Sequence, residues 1–162
     1  MKTIEESKIQ IKALPERNLA YIRHIGPYKG DTELFGRLFG EVYAWAGPKG
    51  VLARPEMEAI TVYHDPHTVP EEEQRISVGV TVPENIMAEG NMKILKLPKA
   101  NYLVGSFEIL PTEYGMAWES MLDHINEENL EYTGMMYESY QNEPDKHPEG
   151  KHIVEICIAL KD

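Results

Sequence analysis

The sequence predicts an α+β fold in which one strand, helix, strand, strand (βαββ) module is used twice, with antiparallel sheets, two main helices, pseudo-twofold symmetry and a cleft between the halves. Three observations predict it. The segments Ile11-Lys12-Ala13-Leu14-Pro15-Glu16-Arg17-Asn18 and Ile94-Leu95-Lys96-Leu97-Pro98-Lys99-Ala100-Asn101 share Ile, Leu, Pro and Asn at matching positions, the mark of an internal repeat. Each is followed by the same order of apolar strand, breaker, helix and two further strands. In both halves the first strand of the closing pair runs into a proline turn, Tyr63-His64-Asp65-Pro66 and Gln141-Asn142-Glu143-Pro144. Proline ends a strand because it has no N–H for the ladder.

In the first half, residues 19–25 form an apolar strand and Gly26-Pro27 breaks it. A helix is predicted over 30–46, with Leu34, Leu38, Val42 and Trp45 as its packing stripe and Gly47-Pro48 as its stop. Strands follow at 58–64 and 75–82, the second alternating as Ile76, Val78, Val80, Val82. In the second half the corresponding elements are a strand over 102–110, the breaker Pro111-Thr112, a helix over 113–127, and strands over 134–141 and 152–160. Polar loops at 67–74 and 145–151 join the last two strands of each half. The chain is expected to be one domain over 1–162, with repeats spanning approximately 7–83 and 92–162.

Composition narrows the function classes. Sixteen basic residues against 27 acidic ones give a formal charge of −11, which repels nucleic acid phosphate and anionic membranes and favours cationic or neutral small molecules. Met1-Lys2-Thr3-Ile4-Glu5-Glu6 lacks the apolar region of a secretory signal, and no apolar run approaches a membrane span, so a cytoplasmic location is expected. Cys157 lies within Ile156-Cys157-Ile158 and reads as a buried structural thiol. His64 with His67, and His147 with His152, offer too little for a metal site, so neither metal nor cofactor is expected. No phosphate loop, nucleophile elbow or dinucleotide fingerprint is present.

The candidate site centres on Glu138, in Met135-Met136-Tyr137-Glu138-Ser139-Tyr140, where a carboxylate interrupts a core-like strand. Two readings stand: a buried pocket carboxylate that needs partners, or a residue on a solvent-facing strand surface. Its counterpart in the repeat is read as Ile60, and that of Glu155 as Val78. Pairing of the last two strands could bring Glu138 and Glu155 together, which would suit a cation site or acid/base chemistry. Tyr63, Tyr137 and Tyr140 in strands, with Tyr114 and Trp118 in the second helix, are candidate walls for flat hydrophobic or cationic ligands, and would serve equally as core. Alternation places Glu138 with Met136 and Tyr140 on one face and Tyr137 with Ser139 on the other. Tyr28, at the turn before the first helix, is a candidate rim residue.

The Gly26-Pro27-Tyr28 turn, Ser77-Val78-Gly79-Val80-Thr81-Val82-Pro83, and Tyr137-Glu138-x-Tyr140-x-Asn142-x-Pro144 together resemble the GyrI-like family over nearly the whole chain. That family includes effector-binding domains of AraC-type and MerR-type multidrug regulators, the DNA gyrase inhibitory protein, and stand-alone proteins. The resemblance implies a duplicated βαββ module with a ligand cleft, and places at Glu138 the buried glutamate that multidrug-binding members use for cationic aromatic ligands. Some stand-alone members hydrolyse cyclopropane-bearing genotoxic compounds with a glutamate and a tyrosine; in such a mechanism Glu138 would position or deprotonate water and a tyrosine such as Tyr28 or Tyr137 would donate the proton. The final strand departs from the family ending Glu-Ile-x-Ile-Pro-Val, reading Glu155-Ile156-Cys157-Ile158-Ala159-Leu160.

The leading expectation is a stand-alone small-molecule binder of the multidrug type, taking planar hydrophobic or cationic ligands. A hydrolase of strained rings is the first alternative. The second is a gyrase inhibitor that works by protein contact, and a regulatory role would require a protein partner that binds DNA.

Overall fold

The chain was analysed as a computed structural model that describes residues 9–65 and 68–161. Each repeated framework begins in a strand that stops at its proline and ends in the start of the next strand. The elements are β1 (Ile9–Leu14), β2 (Arg17–Ile25), α1 (Thr32–Ala46), β3 (Ala59–Tyr63), β4 (Arg75–Val82), β5 (Lys93–Leu97), β6 (Ala100–Ile109), α2 (Tyr114–Glu127), β7 (Tyr132–Tyr140) and β8 (His152–Leu160). Each repeat is therefore ββαββ, one strand longer than the sequence reading, and the α+β class holds.

Pro15-Glu16 does not join β1 and β2 as a hairpin. A two-residue hairpin turn requires positive φ at its first position, which the proline ring forbids. The same holds for Pro98-Lys99 between β5 and β6. Both leading strands pair elsewhere: β1 with β6, from Ile9↔Gly105 to Leu14↔Ala100, and β5 with β2, from Arg17↔Leu97 to Tyr21↔Lys93, all antiparallel.

The chain consequently gathers into two units that exchange their leading strands. One unit holds β1, β6, α2, β7 and β8, with strand order β1-β6-β8-β7. The other holds β2 to β5 with α1, in the order β3-β4-β2-β5.

Cross-strand register corrects the repeat alignment. The frameworks align Arg23 with Ser106; Arg23 pairs with Ser77 and Ser106 with Glu155. Ser77 pairs in turn with Val62, and Glu155 with Ser139. The counterpart of Glu155 is thus Ser77 rather than Val78, and that of Glu138 is Thr61 rather than Ile60. The error arose because the loops between helix and strands differ in length, which sequence spacing alone does not resolve. Thr61 is fully buried, so both repeats keep a buried polar group at this position.

Helix α1 starts where the Asp31 side chain accepts from the Leu34 N–H at 3.0 Å, and it buries Leu34, Leu38, Val42 and Ala46 on its sheet. Trp45 does not complete that stripe. It is half-buried, and its indole donates to Glu89 Oε1 at 3.1 Å. Helix α2 buries Ala117, Met121 and Ile125 against Leu103, Phe107, Ile109, Val154, Ile156 and Ile158. Met121 fits over Gly105, where an added Cβ would stand 2.5 Å from its sulfur.

Candidate functional site

The site lies between side chains of α2 and β7. Glu138 pairs in register with Ile156, and Tyr140 with Val154. Both partners belong to the core that α2 covers, so alternation aims Glu138 at the helix. The β-bulge of β7 falls between Tyr132 and Met136, leaving 136–140 regular. Glu138 is 3% exposed, which decides between its two readings in favour of a buried carboxylate.

Two ring-borne donors hold that carboxylate. Trp118 Nε1–H donates to Oε2 at 2.6 Å and the Tyr140 hydroxyl donates to Oε1 at 2.7 Å. Burying a carboxylate costs several kcal/mol, and hydrogen bonds to a charged acceptor return roughly 1.5–3 kcal/mol each. Both donors are neutral, so they reduce the cost without cancelling the charge.

Tyr114, in the first turn of α2, joins the cluster. Its hydroxyl lies 2.5 Å from His152 Nδ1, the rings meeting edge to face. Burial, and then the negative charge of Glu138, push the Tyr114 phenol well above its ordinary range, while burial pushes the His152 imidazole below its own. A phenol kept protonated beside an imidazole kept neutral fits O–H donation from Tyr114 into Nδ1. Trp118, Tyr114, Tyr140 and Met136 are all half-buried around Glu138.

His152 is the member that the sequence reading had placed only at a loop edge. The signal for it was β-alternation, since His152 shares its face with Val154 and Ile156.

The other candidates lie elsewhere. Tyr137 points to the opposite face of β7, fully buried with its ring centroid 5.8 Å from that of Tyr102. Glu155 pairs with Ser139 and Ser106 on that same opposite face, so strand pairing does not bring it beside Glu138. The expected carboxylate pair is corrected on this point: residues of opposite parity on neighbouring strands cannot share a face. Tyr63 and Tyr28 belong to the other unit, where their centroids are 5.6 Å apart and Tyr28 also meets the edge of Phe35 at 6.4 Å. Cys157 is buried. His67 lies outside the described residues, and among those described no three His, Cys, Asp or Glu side chains gather to hold a metal ion. No helix among them is long and apolar enough to cross a membrane.

The model of the GyrI-like small molecule binding domain matches residues 7–161. This chain belongs to the GyrI-like family. It is 29% identical over 155 residues to "SPbeta prophage-derived putative transcriptional regulator YosT" of Bacillus subtilis (strain 168), covering 95% of this chain and 99% of that one. The crystal structure of the EcmrR C-terminal domain shares its fold, with a TM-score of 0.77 at 18% identity over 95% of this chain and 97% of that one. The structure of SAV2435 bound to tetraphenylphosphonium also shares it, with a TM-score of 0.62 at 13% identity over 94% and 93%. The chain is thus a small-molecule binding domain by family, and its ligand is a question for its own residues.

Proposed function

We propose that this GyrI-like domain binds bulky or planar hydrophobic organic cations at Glu138, with Trp118, Tyr140 and Tyr114 as the surrounding rings. The observation that carries this reading is the buried Glu138 carboxylate held between the Trp118 indole and the Tyr140 hydroxyl. A negative charge set among aromatic rings can attract a soft cation twice, through the carboxylate and through any ring face the cation meets, worth about 0.5–2 kcal/mol each. A neutral ligand would meet only the rings. The tetraphenylphosphonium bound to SAV2435 supports the same class of ligand.

The local acid–base character favours binding over turnover. A Tyr114 phenol pushed upward is a poor proton donor, and a carboxylate already accepting from two donors is a weakened base. In this reading the chain is a cytoplasmic sensor or carrier. A transcriptional role, suggested by the name of the Bacillus relative, would run through a partner that contacts DNA, because a charge of −11 opposes direct contact.

Calorimetric titration with tetraphenylphosphonium and with neutral triphenylphosphine oxide tests the reading. Glu138→Gln should weaken the cation by roughly tenfold or more, ~1.4 kcal/mol, and change the neutral compound little. Equal losses for both would refute the counter-charge role. Mass spectrometry of the recovered ligands should find them unaltered.

A further inference from the structure

The unit formed by β2 to β5 and α1 carries a second polar cluster on its sheet, of opposite sign to Glu138. Ser77, fully buried on β4, accepts from Arg23 Nε at 3.1 Å and lies 2.7 Å from His64 Nε2. Arg23 also lies over the Tyr21 ring, 5.5 Å from its centroid. A flexible arginine is thereby fixed at two points, and pre-organisation of this kind removes much of the ordering cost of binding.

The charge of Arg23 is not matched locally. Among the described residues it takes part in no ion pair, although the chain as a whole is strongly acidic. The nearby carboxylate, Asp65, is taken up by Arg75, with Nη2 at 2.8 Å from Oδ1 and Nε at 3.1 Å from Oδ2. The charged groups acting on His64 are Arg23 and Arg75 against Asp65, a net single positive charge. His64 adds none at neutral pH, since burial and both arginines push its imidazole down to about 4.

We propose that Arg23 and His64, positioned by Ser77, receive the carboxylate of a small organic acid. The guanidinium nitrogens beyond Nε form the fork that matches a carboxylate, the neutral imidazole supplies a further hydrogen bond, and the buried Tyr21 ring beneath the guanidinium helps to hold it in place. One uncompensated positive charge matches a monoanion. A phosphate dianion would leave a negative charge beside the half-buried His64 ring, so carboxylate is preferred over phosphate. These residues belong to the other unit from Glu138, and the proposal does not rest on the cation reading.

NMR titration of the full chain with sodium benzoate, at ionic strength held constant with sodium chloride, tests the proposal. Saturable shifts are expected at the Arg23 Nε–H and the His64 ring, and inorganic phosphate should bind several-fold more weakly. Arg23→Gln should weaken benzoate at least tenfold, whereas Glu138→Gln should leave it unchanged. Arg23→Lys keeps the charge and loses the fork, and should weaken benzoate by a smaller factor. Shifts that never saturate, equal binding by wild type and Arg23→Lys, or tighter binding of phosphate would each overturn the carboxylate site.

Discussion

Trp118 and Glu138 are joined by a 2.6 Å hydrogen bond that ties α2 to β7 at the centre of the candidate site. In the proposed site the indole is both wall and anchor, because the ring proposed to meet the ligand also fixes the carboxylate.

Replacing Trp118 with Phe keeps a ring and removes the N–H. Leaving one oxygen of a buried carboxylate short of a donor should cost about 1–3 kcal/mol in urea unfolding, and tetraphenylphosphonium should bind more weakly. Unchanged stability would mean that water replaces the indole and that the bond does not orient Glu138.

Tyr140→Phe removes the donor to the other oxygen. Since both donors act on one carboxylate, the double variant should depart from additivity by roughly 0.5–3 kcal/mol in a double-mutant cycle. Strict additivity would show that the two hydrogen bonds act independently.

Two buried glycines should respond differently to Ala. An added Cβ at Gly79 would stand 2.0 Å from the backbone oxygen of Ala20, a neighbour that cannot turn aside. At Gly105 the obstacles are the Met121 sulfur at 2.5 Å and the Phe107 ring at 2.7 Å, which are side-chain atoms. Thermal unfolding should show a loss of about 3 kcal/mol for Gly79→Ala and about 1–2 kcal/mol for Gly105→Ala. The reverse order would contradict the packing described.

His64 should make stability depend on pH. Its imidazole titrates at about 4 in the folded chain against an ordinary 6.5. Above 6.5 both states are neutral and the full stability is present. As pH falls toward 4 the unfolded state takes the proton first, so stability declines through that window. Allowing for solvent screening of a half-buried ring, the loss should be on the order of 1–2 kcal/mol between pH 7.5 and 4.5. His64→Gln should show a correspondingly smaller decline when the two proteins are unfolded in urea at both pH values. An identical decline would assign the effect to other groups.

The sequence by itself determined the order strand, helix, strand, strand within each half, though not the leading strands β1 and β5, and it determined that Glu138 and Tyr140 share one face of β7. Proline and glycine breakers, helical stripes and strand alternation are local properties that depend on neighbours within a few residues. Alternation also separated Tyr137 from Glu138 before any strand was placed. Only the tertiary structure decided which face of β7 meets α2, and therefore that Trp118 and Tyr140 hold Glu138 while Tyr137 and Glu155 lie behind it. Strand exchange was likewise hidden: Pro15 and Pro98 forbid the local hairpins, but nothing local names β6 and β2 as the partners of β1 and β5. Register and helix placement are set by which apolar surfaces close together across long stretches of chain, and that choice is made only when the whole core packs.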